Sequence, residues 1–95
     1  MYARLVTGSI ASDKLDEAIR LWRETVAPSV RQQPGFKGAH LLVQRKTGKV
    51  ASMGLWETEA NLHGTIDWNQ EQIDKFAVFF TAPPSVELYE LVAEV

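Results

Sequence analysis

The chain has 95 residues, 45% hydrophobic and 23% charged, with a formal net charge of −2 and no cysteine. That is one domain, residues 1–95, with one modest core that buries roughly 60–70% of the surface its unfolded chain exposes. The composition is that of a globular protein and not of a disordered one, and the missing cysteine removes disulfides, thiolate zinc sites, iron–sulfur clusters and cysteine nucleophiles.

The slightly acidic balance argues against a nucleic-acid partner. No apolar run approaches the ~18 residues of a membrane span. Met1 to Val6 lack the long apolar stretch of a secretory leader, so a cytoplasmic protein is expected. In chain order, residues 2–10 read as a strand built on Tyr2, Leu5, Val6 and Ile10. Ser12-Asp13 then offers a helix cap, and Leu15, Ala18, Ile19, Trp22, Val26 and Val30 recur at helical spacing. Asp13, Asp16 and Glu17 lie in the first turn, where the helix dipole favours negative charge. Pro28 should kink this helix or end its regular part near Ala27, and Pro34-Gly35 stops it.

Residues 36–45 and 49–57 read as two strands of a hairpin turned at Lys46-Thr47-Gly48. Thr58 caps a second helix whose apolar face is Leu62, Ile66, Ile73, Phe76, Ala77 and Phe80, with Gly64 as a weak point in its middle. Thr81 to Ser85 form a rigid loop, and Val86 to Val95 a last strand. The order β-α-β-β-α-β is that of an α+β, ferredoxin-like sandwich, one antiparallel sheet with both helices on one face.

The other face of that sheet should be polar if water covers it. These strands do not alternate in that way. Val86, Leu88 and Val92 fall on one face of the last strand, and Tyr89, Leu91, Ala93 and Val95 on the other. Leu42 opposes Leu41 and Val43, and Met53 and Leu55 oppose Val50 and Trp56. A second copy of the chain is expected to cover the free face, giving a homodimer through its sheets.

His40, mid-strand among Ala39, Leu41 and Leu42, is the candidate general base, because an imidazole titrates near neutral pH. The structural alternative is a core histidine or an interface contact. Trp56 ends a strand and is the candidate wall of a flat aromatic cavity, with Gly54 leaving space beside it. Gly38 reads as a site of close helix packing, or else of space left for a ligand. Trp22 reads as core. Trp68-Asn69 falls off the main helical stripe and either caps the pocket, meets a partner subunit or stands on an exposed turn.

Register decides whether His40 and Trp56 meet. Pairing Arg45 with Val50 sets His40 opposite Leu55 and puts Trp56 on the face of Ala39, whereas a slip of one residue moves His40 to the face of Gly54 and Trp56. No metal is expected, since two histidines 23 positions apart give no ligand spacing. Without a phosphate-binding glycine loop no nucleotide cofactor is expected either. The serines lack a nucleophile-elbow context, and Arg45, Lys46 and Lys49 form a solvated hairpin tip.

The run Gln33-Pro34-Gly35-Phe36-Lys37-Gly38-Ala39-His40-Leu41-Leu42, followed by Thr47-Gly48 and by Gly54-Leu55-Trp56-Glu57-Thr58-Glu59-Ala60, resembles the antibiotic biosynthesis monooxygenase family of dimeric α/β-barrel proteins. The resemblance extends over nearly the whole chain through the element order. It implies a homodimer and a small cofactor-independent monooxygenase that acts with O2 on an aromatic or polycyclic phenol; for that activity the residues themselves offer His40 and Trp56 as catalytic, and Trp56, Gly54, Trp68 and Asn69 as binding a small apolar or aromatic ligand. It equally admits a non-catalytic ligand-binding or structural dimer, since related barrels isomerise lactones or only bind ligands. Haem-degrading relatives use a helix histidine, a tryptophan and a first-strand asparagine. Here Trp56 matches, but His63 comes too early in the helix and Thr7 stands where asparagine is wanted, so His63 reads as an exposed surface residue.

Overall fold

The computed structural model describes residues 1–95. Strands β1 (Tyr2–Ser9), β2 (Phe36–Gln44), β3 (Lys49–Trp56) and β4 (Ser85–Glu90) form one sheet in the order β2-β3-β1-β4. Every neighbouring pair is antiparallel. Helices α1 (Leu15–Leu21) and α2 (Ala27–Val30) follow β1, and α3 (Glu59–His63) and α4 (Ile66–Phe76) follow β3. This is the expected α+β ferredoxin-like fold.

The helices pack on one face of the sheet through two adjoining clusters. Ile10, Leu15, Ala18, Val26 and Phe76 make the first, and Val30, Trp56 and Leu62 the second. Residues opposite one another on antiparallel strands share a face. Arg4 and Val6 of β1, Gly54 and Ser52 of β3, and Ala39 and Leu41 of β2 therefore look toward the helices. Leu5, Met53 and His40 look the other way.

The first helix departs from the regular form in two places. No side chain caps it: Ser12–Lys14 form a 3₁₀ turn, and Asp13, Asp16 and Glu17 compensate its open amides by charge alone. Ahead of Pro28 the regular α-helix ends at Leu21, earlier than expected, yet the helical path continues. Residues Trp22–Val26 widen into a π turn, after which α2 runs on to Val30 with Pro28 in its first turn. Proline cannot donate to the preceding turn, and its ring crowds the carbonyl four residues back. The wider turn accommodates both defects, and Thr25 Oγ1 donates to the Leu21 carbonyl at 2.7 Å.

Gly64-Thr65 breaks the second helix into α3 and α4. Thr58 caps α3 as expected, accepting from the Asn61 amide at 3.0 Å. The break rephases α4, so Ile66 is 51% exposed while Thr65, Gln72 and Phe76 are buried. Strand β4 is shorter than expected. Glu90 pairs with Tyr2 and the Leu91 amide with the Met1 carbonyl, which uses up the first strand, and residues 91–95 have no ladder to continue.

The hairpin turns where expected. Gly48 has φ 79°, and a Cβ there would lie 2.0 Å from the Ile10 carbonyl oxygen, so only glycine fits. Gly38 is not closely packed. It sits at a bulge between Phe36 and Gly38, with open space where a side chain would stand.

Candidate functional site: an aromatic cavity around a buried arginine

A cavity of about 90 Å³ lies between the sheet and the helices. Its walls are apolar, with Trp22, Trp56 and Trp68 all on its lining. The π turn supplies Trp22 and Val26, β3 supplies Ser52, Gly54 and Trp56, and α4 supplies Trp68, Asn69 and Gln72. Two of the indole N–H groups are tied down. Trp22 Nε1 donates to Ser52 Oγ at 3.1 Å, and Trp68 Nε1 donates to Ser29 Oγ. Trp22 is therefore a wall as well as a core residue, and the rephasing of α4 brings Trp68 and Asn69 inward.

Trp56 is 1% exposed, and the Phe36 ring meets it edge-on at 6.1 Å. Gly54 makes its position possible. A Cβ on Gly54 would stand 2.6 Å from Cη2 of the Trp56 ring, so the indole folds into the space the glycine leaves. The indole Nε1 is buried without a hydrogen-bond partner, as is the Gln72 side-chain oxygen. Both residues line the cavity.

Sequence reasoning missed Arg4. It stands on β1 between Gly54 of β3 and Leu88 of β4 and is 4% exposed. Its guanidinium carbon lies 4.7 Å from the Trp56 ring centroid and 5.9 Å from that of Trp68. Nη1 donates to Thr65 Oγ1 at 2.8 Å, and that hydroxyl in turn donates to the Leu62 carbonyl at 2.7 Å. Arg4 takes part in none of the three ion pairs of the chain. Burial pushes its pKa down to about 10, which leaves it a cation at neutral pH. The available signal was parity: Arg4 lies two residues before Val6 on a half-apolar strand, so the two share a face. Nothing local says that the shared face is the inner one.

His40 is exposed and lies on the other face of the sheet. Val43, not Arg45, pairs with Val50. That register differs by two residues from the first expected pairing and so keeps its parity. Ala39 faces Gly54 and the cavity, while His40 pairs with Met53 on the free side. Of the predicted site residues, Trp56, Gly54, Trp68 and Asn69 thus come together and His40 stands apart. His40 instead borders an open groove at the β2 edge with Asp16, Arg20, Arg23 and Arg45.

The residues do not form a haem site. Trp56 is sealed in the core, His63 is exposed on α3 with Nε2 3.7 Å from Glu59 Oε1, and Thr7 pairs with Ala51 on the face away from Trp56. No group of three metal-binding side chains converges anywhere in the chain.

A model of the antibiotic biosynthesis monooxygenase family matches residues 1–72. An uncharacterized protein of Mycobacterium tuberculosis is 31% identical over 93 residues, which is 98% of this chain and 42% of that protein. A second one is 26% identical over 91 residues, covering 96% and 39%. The chain thus spans less than half the length of these relatives. Among solved structures, the Streptomyces coelicolor monooxygenase from the gene ActVA-Orf6, in complex with nanaomycin D, superposes with a TM-score of 0.80 at 17% identity, covering 99% of this chain and 89% of that one. Rv0793 from Mycobacterium tuberculosis superposes with a TM-score of 0.73 at 14% identity, covering 98% and 96%. At these identities the two structures share the fold. The family-model match, across about three quarters of the residues, places the chain in the antibiotic biosynthesis monooxygenase family.

Proposed function

We propose that the chain is one protomer of a homodimeric, cofactor-independent monooxygenase that oxidises an acidic aromatic, a phenol or anthrone, with O2. The observation that carries this reading is the cavity walled by three tryptophans. Its flat aromatic walls suit a stacked aromatic ring, and their apolar lining suits a reaction through an oxygen-sensitive carbanion. For an anthrone the step balances as one CH2 and one O2 giving one C=O and one water. The substrate loses a proton, its anion passes an electron to O2, the radical pair joins as a peroxide, and the O–O bond breaks with loss of water.

Size limits the ligand. An apolar cavity of about 150 Å³ admits benzene, and this one has about 90 Å³. A single ring fits only closely, and a polycyclic substrate requires the helical layer to yield, most readily at the π turn. The partner is a second copy on the free sheet face, where Leu42 is 55% and Tyr89 48% exposed.

A second reading has an observation of its own. The cavity lining contains no carboxylate and no histidine, so no side chain there takes the substrate's proton. That favours a dimer that binds an aromatic ligand without turning it over. Oxygen uptake across a panel of phenols, quinols and anthrones separates the two. Uptake matched by quinone formation supports the oxygenase, and ligand binding without uptake supports the binding protein.

A further inference from the structure

We propose that Arg4 is the anion anchor of the cavity, so that the site selects a planar aromatic bearing an ionised oxygen, a phenolate or enolate, over a neutral ring of the same shape. This rests on the reading of the cavity as a ligand site, whether or not the ligand is oxidised.

A guanidinium carries five N–H donors in a planar fork suited to oxyanions. Only one of these has a protein partner, the Nη1 bond to Thr65. No Asp or Glu oxygen lies within 4.0 Å of the group, although it is 4% exposed. Buried charges are ordinarily paired with an opposite charge. Here the folded chain offers two indole faces in its place, at 4.7 and 5.9 Å. A cation held by π faces is positioned and partly stabilised, but its charge is not cancelled. It remains available to an anion that enters the cavity.

The surroundings add to this selectivity. The apolar walls weaken dielectric screening, so an oxyanion beside Arg4 gains more than it would in water. Trp56 Nε1 and the Gln72 side-chain oxygen, both buried without a hydrogen-bond partner, belong to residues that line the same cavity. A phenol bound here loses its proton more readily, because the cation favours the charged product. This supplies what the cavity otherwise lacks: with no base on the lining, the proton departs to solvent as the ligand binds, and the anion stays.

The probe is 4-nitrophenol, whose phenolate has a visible absorption band that the phenol lacks. The purified chain is titrated into the probe in slightly acid buffer, where most of the free probe is neutral. The expected result is growth of the phenolate band to saturation. Affinity should exceed that for 4-nitrotoluene, measured by competition, by about tenfold or more, the size of one charge-assisted hydrogen bond.

Arg4→Met, shown to be folded by its circular dichroism, should lose the band and bind the two probes alike. Arg31→Met, which removes an exposed charge outside the cavity, should retain both effects. If Arg4→Met does not fold, Arg4→Lys keeps the charge without the fork and should show a weakened band. Equal wild-type affinity for the two probes, or a band that survives in folded Arg4→Met, overturns the anchor while leaving the cavity a ligand site. Failure of both probes to bind overturns anchor and site together. A phenolate band without oxygen uptake from any phenol upholds the anchor and sinks only the oxygenase reading.

Discussion

Gly54 and Trp56 are one unit of packing. The glycine's missing side chain is filled by the indole two residues along, and the indole in turn sits under Arg4. Gly54→Ala should therefore force the ring to shift against its neighbours, among them Val30, Leu62 and Phe36. Overpacking of this kind costs about 1–3 kcal/mol. Urea unfolding followed by tryptophan emission checks it, and an unchanged midpoint would mean that the ring is free to shift. His40 belongs to the opposite case. It is exposed on edge strand β2 and points to the face away from the cavity, so His40→Ala should leave oxygen uptake and cavity binding unchanged in the folded protein. A general base typically contributes about 10²–10⁴-fold. A loss of that size in a folded His40→Ala protein would restore the histidine to the mechanism and show that the cavity reaches it by a route other than the inner face.

At the scale of elements, the helical layer shapes the cavity by its irregularities. The π turn answers Pro28 and places Trp22 on the lining, while the break at Gly64-Thr65 rephases α4 so that Trp68 and Asn69 reach it. Thr65 is the joint: it ends one helix by bonding the Leu62 carbonyl and holds the guanidinium with the same oxygen. Helix α3 depends on its cap, because five residues are too few to hold a helix by propensity alone. Thr58→Ala removes the bond to the Asn61 amide. It should cost about 1 kcal/mol, a fall in Tm of roughly 4–8 °C for a domain of this size. Thermal unfolding by circular dichroism measures it, and Thr58→Ser should recover most of the loss.

For the whole molecule, the free face of the sheet sets the expected assembly. Leu5, Met53, Leu55, Leu42 and Tyr89 share it, and no helix of the chain crosses it. Sedimentation equilibrium at micromolar concentration should give about twice the 10.7 kDa chain mass. Leu42→Glu, placing a charge on an exposed position of that face, should shift the mass toward one chain without unfolding it. A wild-type chain that sediments as a monomer would leave the apolar free face without its proposed occupant. Edge strand β4 deserves the same test, since Val86 and Leu88 are each 46% exposed on the helix side of the sheet.

The order of elements, the turns and the apolar composition of both sheet faces were legible in the sequence because they follow from local causes. Gly48 with its required positive φ, Thr58 with its cap, and the 3.6-residue recurrence from Leu15 to Val30 each act within a few residues of themselves. Four of the five residues predicted for the site also converge, though for Trp68 and Asn69 the sequence left an exposed turn or a partner contact equally open. What local pattern did not contain was phase between elements. The parity of the β2–β3 ladder decides which side of the sheet His40 occupies, and neighbouring registers satisfy the turn equally well. The break at Gly64-Thr65 decides whether Trp68 points in or out. Arg4 depended on both. It reads as an ordinary strand residue until the sheet order sets Gly54 and Leu88 on either side of it and the helices close over it. Only the assembled fold determined that this chain keeps an unpaired cation in its cavity, because whether a charge is buried is a property of every element around it.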